Sequence, residues 1–459
     1  MNGGLPGTRA ALWIWGILSA LVILSVAVLY AWRGPAGIEA VLRTGHLSNL
    51  TVTLASVTVT WLLGGSLLYL LAQGGIDREN LFAIIGFYLV GFVYLGILRE
   101  RVDYGDAQHY IRAAQSISAG QPLPPEYVYP PLLATVLGLL VPVGETGMLL
   151  ALWLSNVIAL FIFYGLLLRM LERFGFSPRL AAAAAATLLL VNTPLLRTLL
   201  YTQVNLHLLN LIFLGVLLHK RAPLLSALSL ALAVHLKVSP VVLVLAFVLE
   251  RDWRWLLWFL LSVLLTGLLL FAAHGGGPYM DFWRTALVLA EERGVIFRDS
   301  SLDGLFAAVA AFLSIQPQIT QAAIYVSKIA LGLWVLLVMK RAISRKVFYQ
   351  AGSAATVHNA LPPLMVLMTL AAPIVWEHHG VFLILPFLVL LPWLRSPADW
   401  LWYFAAWFLE FTLPTFDFFP WSYGRLIAPL IILGLMWQTS EKPRRSPVFR
   451  QIAAALERI

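Results

Sequence analysis

"PLLSALSLALAVHLKVSPVVLVLAFVLERDWR", residues 223–254, decides how this chain is threaded. Read without a break it is one long apolar helix, and Arg251 and Arg254 land across a membrane from Lys220 and Arg221. Read as two short helices parted at Lys237-Val238-Ser239-Pro240, it returns all four cations to one side. Proline has no N–H and opposes helix continuation. A lysine deep in an apolar stretch is costly unless it reaches a surface. The broken reading is the one the rest of the chain supports.

The 459 residues are 60% hydrophobic and 12% charged, with a mean hydropathy of +0.85. A soluble protein would carry about a quarter charged residues. Long apolar runs recur from end to end, which predicts an all-α polytopic membrane protein, because a backbone in lipid must satisfy its own hydrogen bonds. A transmembrane barrel would alternate instead. There are no cysteines, so disulfides and thiolate chemistry are excluded. Arg9 and the apolar run Ala10–Tyr30 have no small-residue cleavage site after them, and predict a retained first helix. The net charge of +9 is read as basic cytoplasmic loops, with no nucleic-acid partner.

Spans are predicted near 11–31, 51–71, 80–98, 147–168, 180–195, 203–219, 223–236, 238–250, 254–273, 322–340, 354–372, 378–394, 398–413 and 423–438. With the N-terminus inside, the cytoplasmic segments hold 19 of the 31 basic residues and 8 of the 22 acidic ones. The other side holds 12 basic and 14 acidic residues, an asymmetry that supports this orientation, and the absence of cysteines suits a bacterial inner membrane. The chain then divides into N-terminal transmembrane helices (1–98), a first outer loop (99–147), core transmembrane helices (148–273), a second outer loop (274–321), and C-terminal transmembrane helices with a basic cytoplasmic tail (322–459). Loops this long usually carry function. No internal repeat of the kind found in symmetric transporters is present.

In the first outer loop, "AQHYIRAAQSISAG" (107–120) spaces Ile111, Ala114 and Ile117 helically and ends at Gly120. Asp106 opens this helix, either as an N-cap or as a carboxylate with chemistry to do. Asp103 precedes it among Arg99 and Arg101, which give it partners. "YVYPPLLATVLGLLVPVG" (127–144) predicts a rigid entry and an apolar helix of about a dozen residues, too short to span, lying at the interface with Tyr127 and Tyr129 at headgroup level.

The order Asp106-x-x-x-Tyr110-x-x-Ala113-Ala114, Gly120, then Tyr129-Pro130-Pro131-Leu132 resembles the first outer loop of C-type membrane glycosyltransferases, most of all glycosyltransferase family 87, an α-mannosyltransferase-like group. "TQVNLHLLNL" (202–211) is similar to that family's Gly-Gln-Val-Asn segment, with Thr202 where the family usually has glycine. "HLKVSP" (235–240) with "LERDWRW" (249–255) resembles its Lys-x-x-Pro segment and basic turn, and "WEHHGVFLILP" (376–386) its Trp-x-His-His segment. The resemblance runs from Asp106 to Pro386, and the first 75 residues carry none of it. It implies a GT-C-like helical bundle of about 12–14 transmembrane helices with interfacial helices in two long outer loops. It also implies an enzyme moving a sugar, mannose by resemblance, from a polyprenyl-phosphate donor to a hydroxyl of a lipid or glycan acceptor.

On that reading Asp106 is the general base. A departing lipid phosphate needs cations at the membrane surface, and Lys237, Arg197, His378 and His379 stand at predicted outer helix ends. Phosphate contact is the preferred reading of Lys237, and simple snorkelling near a helix end is its alternative. Trp376 is placed to stack on the sugar, and Tyr129 to line the same site. Gln203 and Asn205 either bind sugar hydroxyls or bond across helices, the commoner role. Glu377 and Asp103 are second choices for acid or base. His207 and His235 read as packed polar residues. In the second loop, Tyr279–Glu292 reads as an amphipathic helix with Phe282 and Trp283 at the interface; Arg284, Arg293 and Arg298 are further candidates for the phosphate. "RDSSLDG" (298–304) resembles the family's Ser-Leu-x-Gly turn.

No metal site is expected at His378-His379, which has no second ligand at i+3 or i+4. No cofactor is expected, and participation of a divalent ion stays open. A nucleotide-sugar donor is disfavoured by the lack of a nucleotide-binding signature and of an Asp-x-Asp pair. The rival class is a transporter or flippase of a lipid-linked sugar, which would share the helices and cations but would not need a carboxylate opening the first outer helix. A glycan polymerase would lack the Asp-then-Tyr-Pro-Pro order.

Overall fold

The computed structural model describes residues 8–42, 105–190, 192–291, 299–349, 354–412, 423–441, 445–446, 449–450 and 454. The predicted spans near 51–71 and 80–98, and Asp103, Arg293 and Arg298, lie outside the described residues. Among those described there is no strand. The helices are α1 (Thr8–Leu42), α2 (Ala107–Ser118), α3 (Leu132–Gly138), α4 (Gly144–Arg173), α5 (Pro178–Leu190), α6 (Thr193–Leu200), α7 (Asn205–Leu218), α8 (Pro223–Leu236), α9 (Val244–Leu249), α10 (Trp253–His274), α11 (Gly277–Glu291), α12 (Leu302–Leu313), α13 (Pro317–Ser344), α14 (Ala355–Leu370), α15 (Ile384–Leu390), α16 (Pro397–Trp407) and α17 (Gly424–Glu441).

The protein is an all-α polytopic membrane protein. Among the described residues, Val141–Arg173, Trp253–His274 and Pro317–Ser344 are long and apolar enough to cross a membrane as single helices. The pair α5 and α6, bent by 68°, passes the same test only when taken together, as a broken span or a re-entrant loop. Most of the other predicted spans among the described residues are apolar helices of 10–17 residues, shorter than the roughly 20 residues of a full crossing. Breaks in the helical ladder account for part of this. Asn192 caps α6 by accepting from the Leu195 N–H at 2.8 Å, and Pro194 occupies its first turn.

The decisive stretch is broken where its sequence suggests. α8 stops at Leu236, Lys237 is extended (φ −157°, ψ 130°), a 3-10 turn runs Ser239–Leu243 and α9 follows. α7 and α8 therefore form a hairpin of two 14-residue helices, each about 21 Å long. The helices meet closely because Gly215 has no side chain to hold them apart: a Cβ there would lie 3.2 Å from the Ser226 carbonyl oxygen. Ser226 Oγ donates to the Gly215 carbonyl, and Trp255 Nε1 on α10 donates to Ser226 Oγ at 2.7 Å. Asn205 and Lys237 consequently share one end of the hairpin, and Lys220 and Arg221 the other.

α2 buries Ile111, Ala114 and Ile117 as their spacing predicts, and Gly120 follows with φ +66°. Two expectations for the next stretch are corrected. Its apolar helix is only the seven residues of α3, followed by a 3-10 turn at Val141–Val143. Tyr127 and Tyr129 do not present their rings to headgroups but are buried in a small core with α2 and α3. Their hydroxyls find partners inside the protein: Tyr127 donates to the Pro130 carbonyl at 3.0 Å and accepts from the Ala134 N–H at 3.2 Å.

Candidate functional site

The site is assembled from the start of α2, the turn before α7, the end of α8 and the 3-10 helix Glu377–Leu383. Gly105 takes φ +55°, and a Cβ there would come within 2.5 Å of Tyr201 Cδ1. Glycine thus lets the start of α2 close onto residues 201–203. Asp106 sits at the helix start (φ −69°, ψ −16°), yet its carboxylate caps no helix N–H. Instead Gln203 Nε2 donates to Asp106 Oδ2.

Gln203 is fully buried, and its Oε1 accepts from the Tyr110 hydroxyl at 2.9 Å and the Tyr129 hydroxyl at 3.3 Å. An ionised carboxylate can only accept, so the NH2 group faces Asp106 and the oxygen is left to the two tyrosine O–H donors. Gln203 is presented by a tight turn: its N–H donates to the Thr198 carbonyl at 2.9 Å, and Thr202 just before it lies at φ +54°. That is left-handed backbone, which glycine adopts freely and a β-branched residue resists.

Burial pushes the Asp106 carboxyl up to about 6, and the nearby Lys237 charge draws it partly back. Burial pushes Lys237 down to about 8, against the pull of Asp106. Lys237 Nζ lies 2.6 Å from His379 Nε2, with the rings of Tyr129 and Phe382 each 5.8 Å from it. His379 Nδ1 accepts from the Trp376 N–H at 3.0 Å. The His378 ring is 4.6 Å from that of His379, and its Nε2 is buried without a partner among the described residues. The His378 carbonyl accepts from Asn205 Nδ2 at 3.2 Å and Thr198 Oγ1 at 3.3 Å, which ties α6 and α7 to the 3-10 helix.

Arg197 and Glu377 belong to a second cluster behind this one. Arg197 Nε pairs with Glu377 Oε2 at 2.9 Å, and Arg425 Nη2 donates to Glu377 Oε1 at 2.8 Å. Both arginines are buried, and Arg425 Nε also donates to the Glu410 carbonyl at 3.1 Å. Glu377 is thus held between two guanidiniums, and the Arg197 charge is met inside the protein. Trp376, half-buried, precedes this turn. Asp299 pins the end of the second long connection to it, accepting from the Val375 N–H at 2.7 Å, the Ser301 N–H at 2.9 Å and Ser301 Oγ at 2.7 Å. Burial raises the Asp299 carboxyl.

The amphipathic helix predicted near 279–292 is α11, with Phe282 buried, and Trp283 and Arg284 exposed. Asp281 Oδ2 on α11 accepts from the Leu123 N–H at 3.0 Å, joining the two long connections. His235 is packed between the Val263 carbonyl, 3.0 Å from Nε2, and the Tyr279 hydroxyl, 3.4 Å from Nδ1. No group of three His, Cys, Asp or Glu side chains able to hold a metal occurs among the described residues.

The family model for glycosyltransferase family 87 matches residues 127–373, more than half of the chain. The chain belongs to glycosyltransferase family 87. It is therefore a membrane glycosyltransferase of the C type. No curated protein matches it. Asp106 and Tyr110 precede the matched segment of this family 87 chain and His378 follows it. Contacts from Gln203 and Asn205, which lie inside it, bring them to it. Thr198, Asp299, Glu410 and Arg425 were not singled out from the sequence, and Tyr110 only as part of the Asp106-x-x-x-Tyr110 pattern, without a role. Tyr110 is signalled by its four-residue spacing from Asp106, which puts both on one helix face. Glu410 and Arg425 are signalled by charge within or beside apolar stretches.

Proposed function

We propose that this glycosyltransferase moves a sugar, mannose by family likeness, from a polyprenyl-phosphate donor to a hydroxyl of a lipid or glycan acceptor at the outer face of the bacterial plasma membrane. The observation carrying this reading is the half-buried Asp106, oriented by Gln203 and electrostatically coupled to Lys237. Asp106 takes the proton of the acceptor hydroxyl. The hydroxyl oxygen then attacks the anomeric carbon, and the bond from that carbon to the phosphate oxygen breaks. The phosphate leaves with the bonding pair, and Lys237 and the free Nε2 of His378 stabilise its charge. Base and leaving group act from opposite faces of the sugar, so the product is inverted.

Asn205 contributes by holding the His378 backbone. Trp376 offers a ring for the sugar. The Arg197–Glu377–Arg425 cluster supports the turn that carries the histidines. An outward site is favoured because Asn205 and Lys237 lie at the opposite end of the α7–α8 hairpin from Lys220 and Arg221, and basic residues gather on the cytoplasmic side.

The test is transfer of label from radiolabelled polyprenyl-phosphate mannose to membrane lipid acceptors by the wild type and by Asp106→Asn. Transfer by the wild type, lost in a folded Asp106→Asn chain, is expected. Equal transfer by both removes Asp106 as base. Label crossing the bilayer without transfer overturns the reaction itself.

A further inference from the structure

The hydrogen bonds around Lys237 do not balance if each group carries its usual proton. The Trp376 N–H donates to His379 Nδ1, so Nδ1 presents a lone pair. A neutral imidazole with a bare Nδ1 bears its proton on Nε2. An imidazolium would turn a second N–H against that of Trp376. The Nε2–H of His379 therefore faces Lys237 Nζ across 2.6 Å. An ammonium has three donors and no acceptor, so a charged Lys237 would set N–H against N–H. A free amine has one lone pair and accepts.

We infer that Lys237 rests as a neutral amine accepting a hydrogen bond from His379 Nε2–H, and takes up a proton to become ammonium when the anionic phosphate of the donor enters beside it. The second half of this statement rests on the donor proposed above. The groups facing Lys237 are Asp106 from the start of α2, His379 and His378 from the 3-10 helix, and the rings of Tyr129 and Phe382. Arg197 lies behind them, paired with Glu377. Burial already disfavours the ammonium, and a hydrogen bond that only the free amine can accept lowers it further.

A phosphodiester is anionic throughout the physiological range, and its charge reverses the balance at Nζ. The proton comes from solvent, and the four-carbon side chain swings from His379 to the phosphate. The ammonium so formed also lowers the pKa of Asp106. Donor binding thereby favours the ionised carboxylate that can accept a proton, whereas the empty site keeps more of it protonated.

Two measurements on the full chain in detergent test this. The first is the 15Nζ signal of Lys237 without donor, assigned by its loss in Lys237→Arg. An amine signal near neutral pH is expected, and an ammonium signal overturns the proposal. The second is calorimetry of a short-chain polyprenyl-phospho-mannose binding to Asp106→Asn, in two buffers of different ionisation enthalpy. This variant cannot turn over, and it lacks the carboxyl that would otherwise hand its own proton to Lys237. Uptake of about one proton per donor bound is expected, and none when Lys237→Met is added. Donor binding without uptake in Asp106→Asn overturns the coupling. An amine signal with no donor binding overturns the polyprenyl-phosphate reading and the coupling that depends on it, while the neutral lysine stands.

Discussion

Gln203 and Asp106 are 97 residues apart in the chain, and the side-chain amide of the first holds the carboxylate of the second. One carboxylate oxygen is thereby occupied and the direction of the other is set. A flip of the amide is opposed because it would set the amide oxygen against the carboxylate, while the two tyrosine hydroxyls donate to that oxygen in the orientation observed.

With donor saturating and Lys237 charged, the wild-type enzyme is expected to lose kcat as pH falls through about 6, where Asp106 gains its proton. The sign follows from the role: only the ionised carboxylate accepts a proton, so activity is present above that pH and lost below it. A rate–pH profile with the proposed donor checks this. A flat profile down to pH near 4 assigns the base elsewhere.

Gln203→Leu removes the N–H that favours the ionised form of Asp106, and leaves two tyrosine hydroxyls without their acceptor. Loss of a hydrogen bond to a charged group is worth about 1.5–3 kcal/mol, or about one to two pKa units. The acid limb of the profile is expected to move upward by that amount, with activity partly recovered at alkaline pH. A fall in rate with no movement of the limb means that Gln203 acts on folding alone.

Thr202→Gly is expected to stabilise the protein by about 1 kcal/mol, since the left-handed backbone at φ +54° opposes a side chain with a β-branch. The midpoint of thermal unfolding in detergent reports it. A lower midpoint means that contacts of the threonine side chain outweigh the strain.

Glu377→Gln leaves Arg197 and Arg425 buried around a neutral group. Removing one partner of a buried ion pair destabilises by about 3–5 kcal/mol, so a strongly lowered unfolding midpoint is expected. At a temperature where the variant is folded, transfer is expected to persist, unlike in Asp106→Asn. Loss of transfer in a folded Glu377→Gln chain makes Glu377 part of the reaction.

Much of this was legible in the sequence. Apolar runs without alternation specify helices, because hydrocarbon leaves the backbone no other partner. Lys237-Val238-Ser239-Pro240 announced a break, and α8 does end at Leu236. Asp106, Gln203, Lys237 and the His378-His379 pair were each visible as polar groups in oily surroundings. Arg197 and Glu377 were visible too, but not as partners. A charge shows in a sequence, whereas its counter-charge on another helix does not. Tyr127 and Tyr129 were misplaced for a related reason: an amphipathic ring suits a membrane interface and a hydrogen-bonded core equally well.

The sequence by itself determined the helical class, the breaks and which residues carry charge, because these follow from local sterics and from the cost of placing polar groups in lipid. Only the tertiary structure decided which charge meets which. It turned Asp106 from helix cap to the partner of Gln203, set Glu377 between two arginines, and pointed the Nε2 of His379 at Lys237. Those pairings depend on distances between helices distant in sequence, and hydrogen bonds and ion pairs act only over a few ångströms.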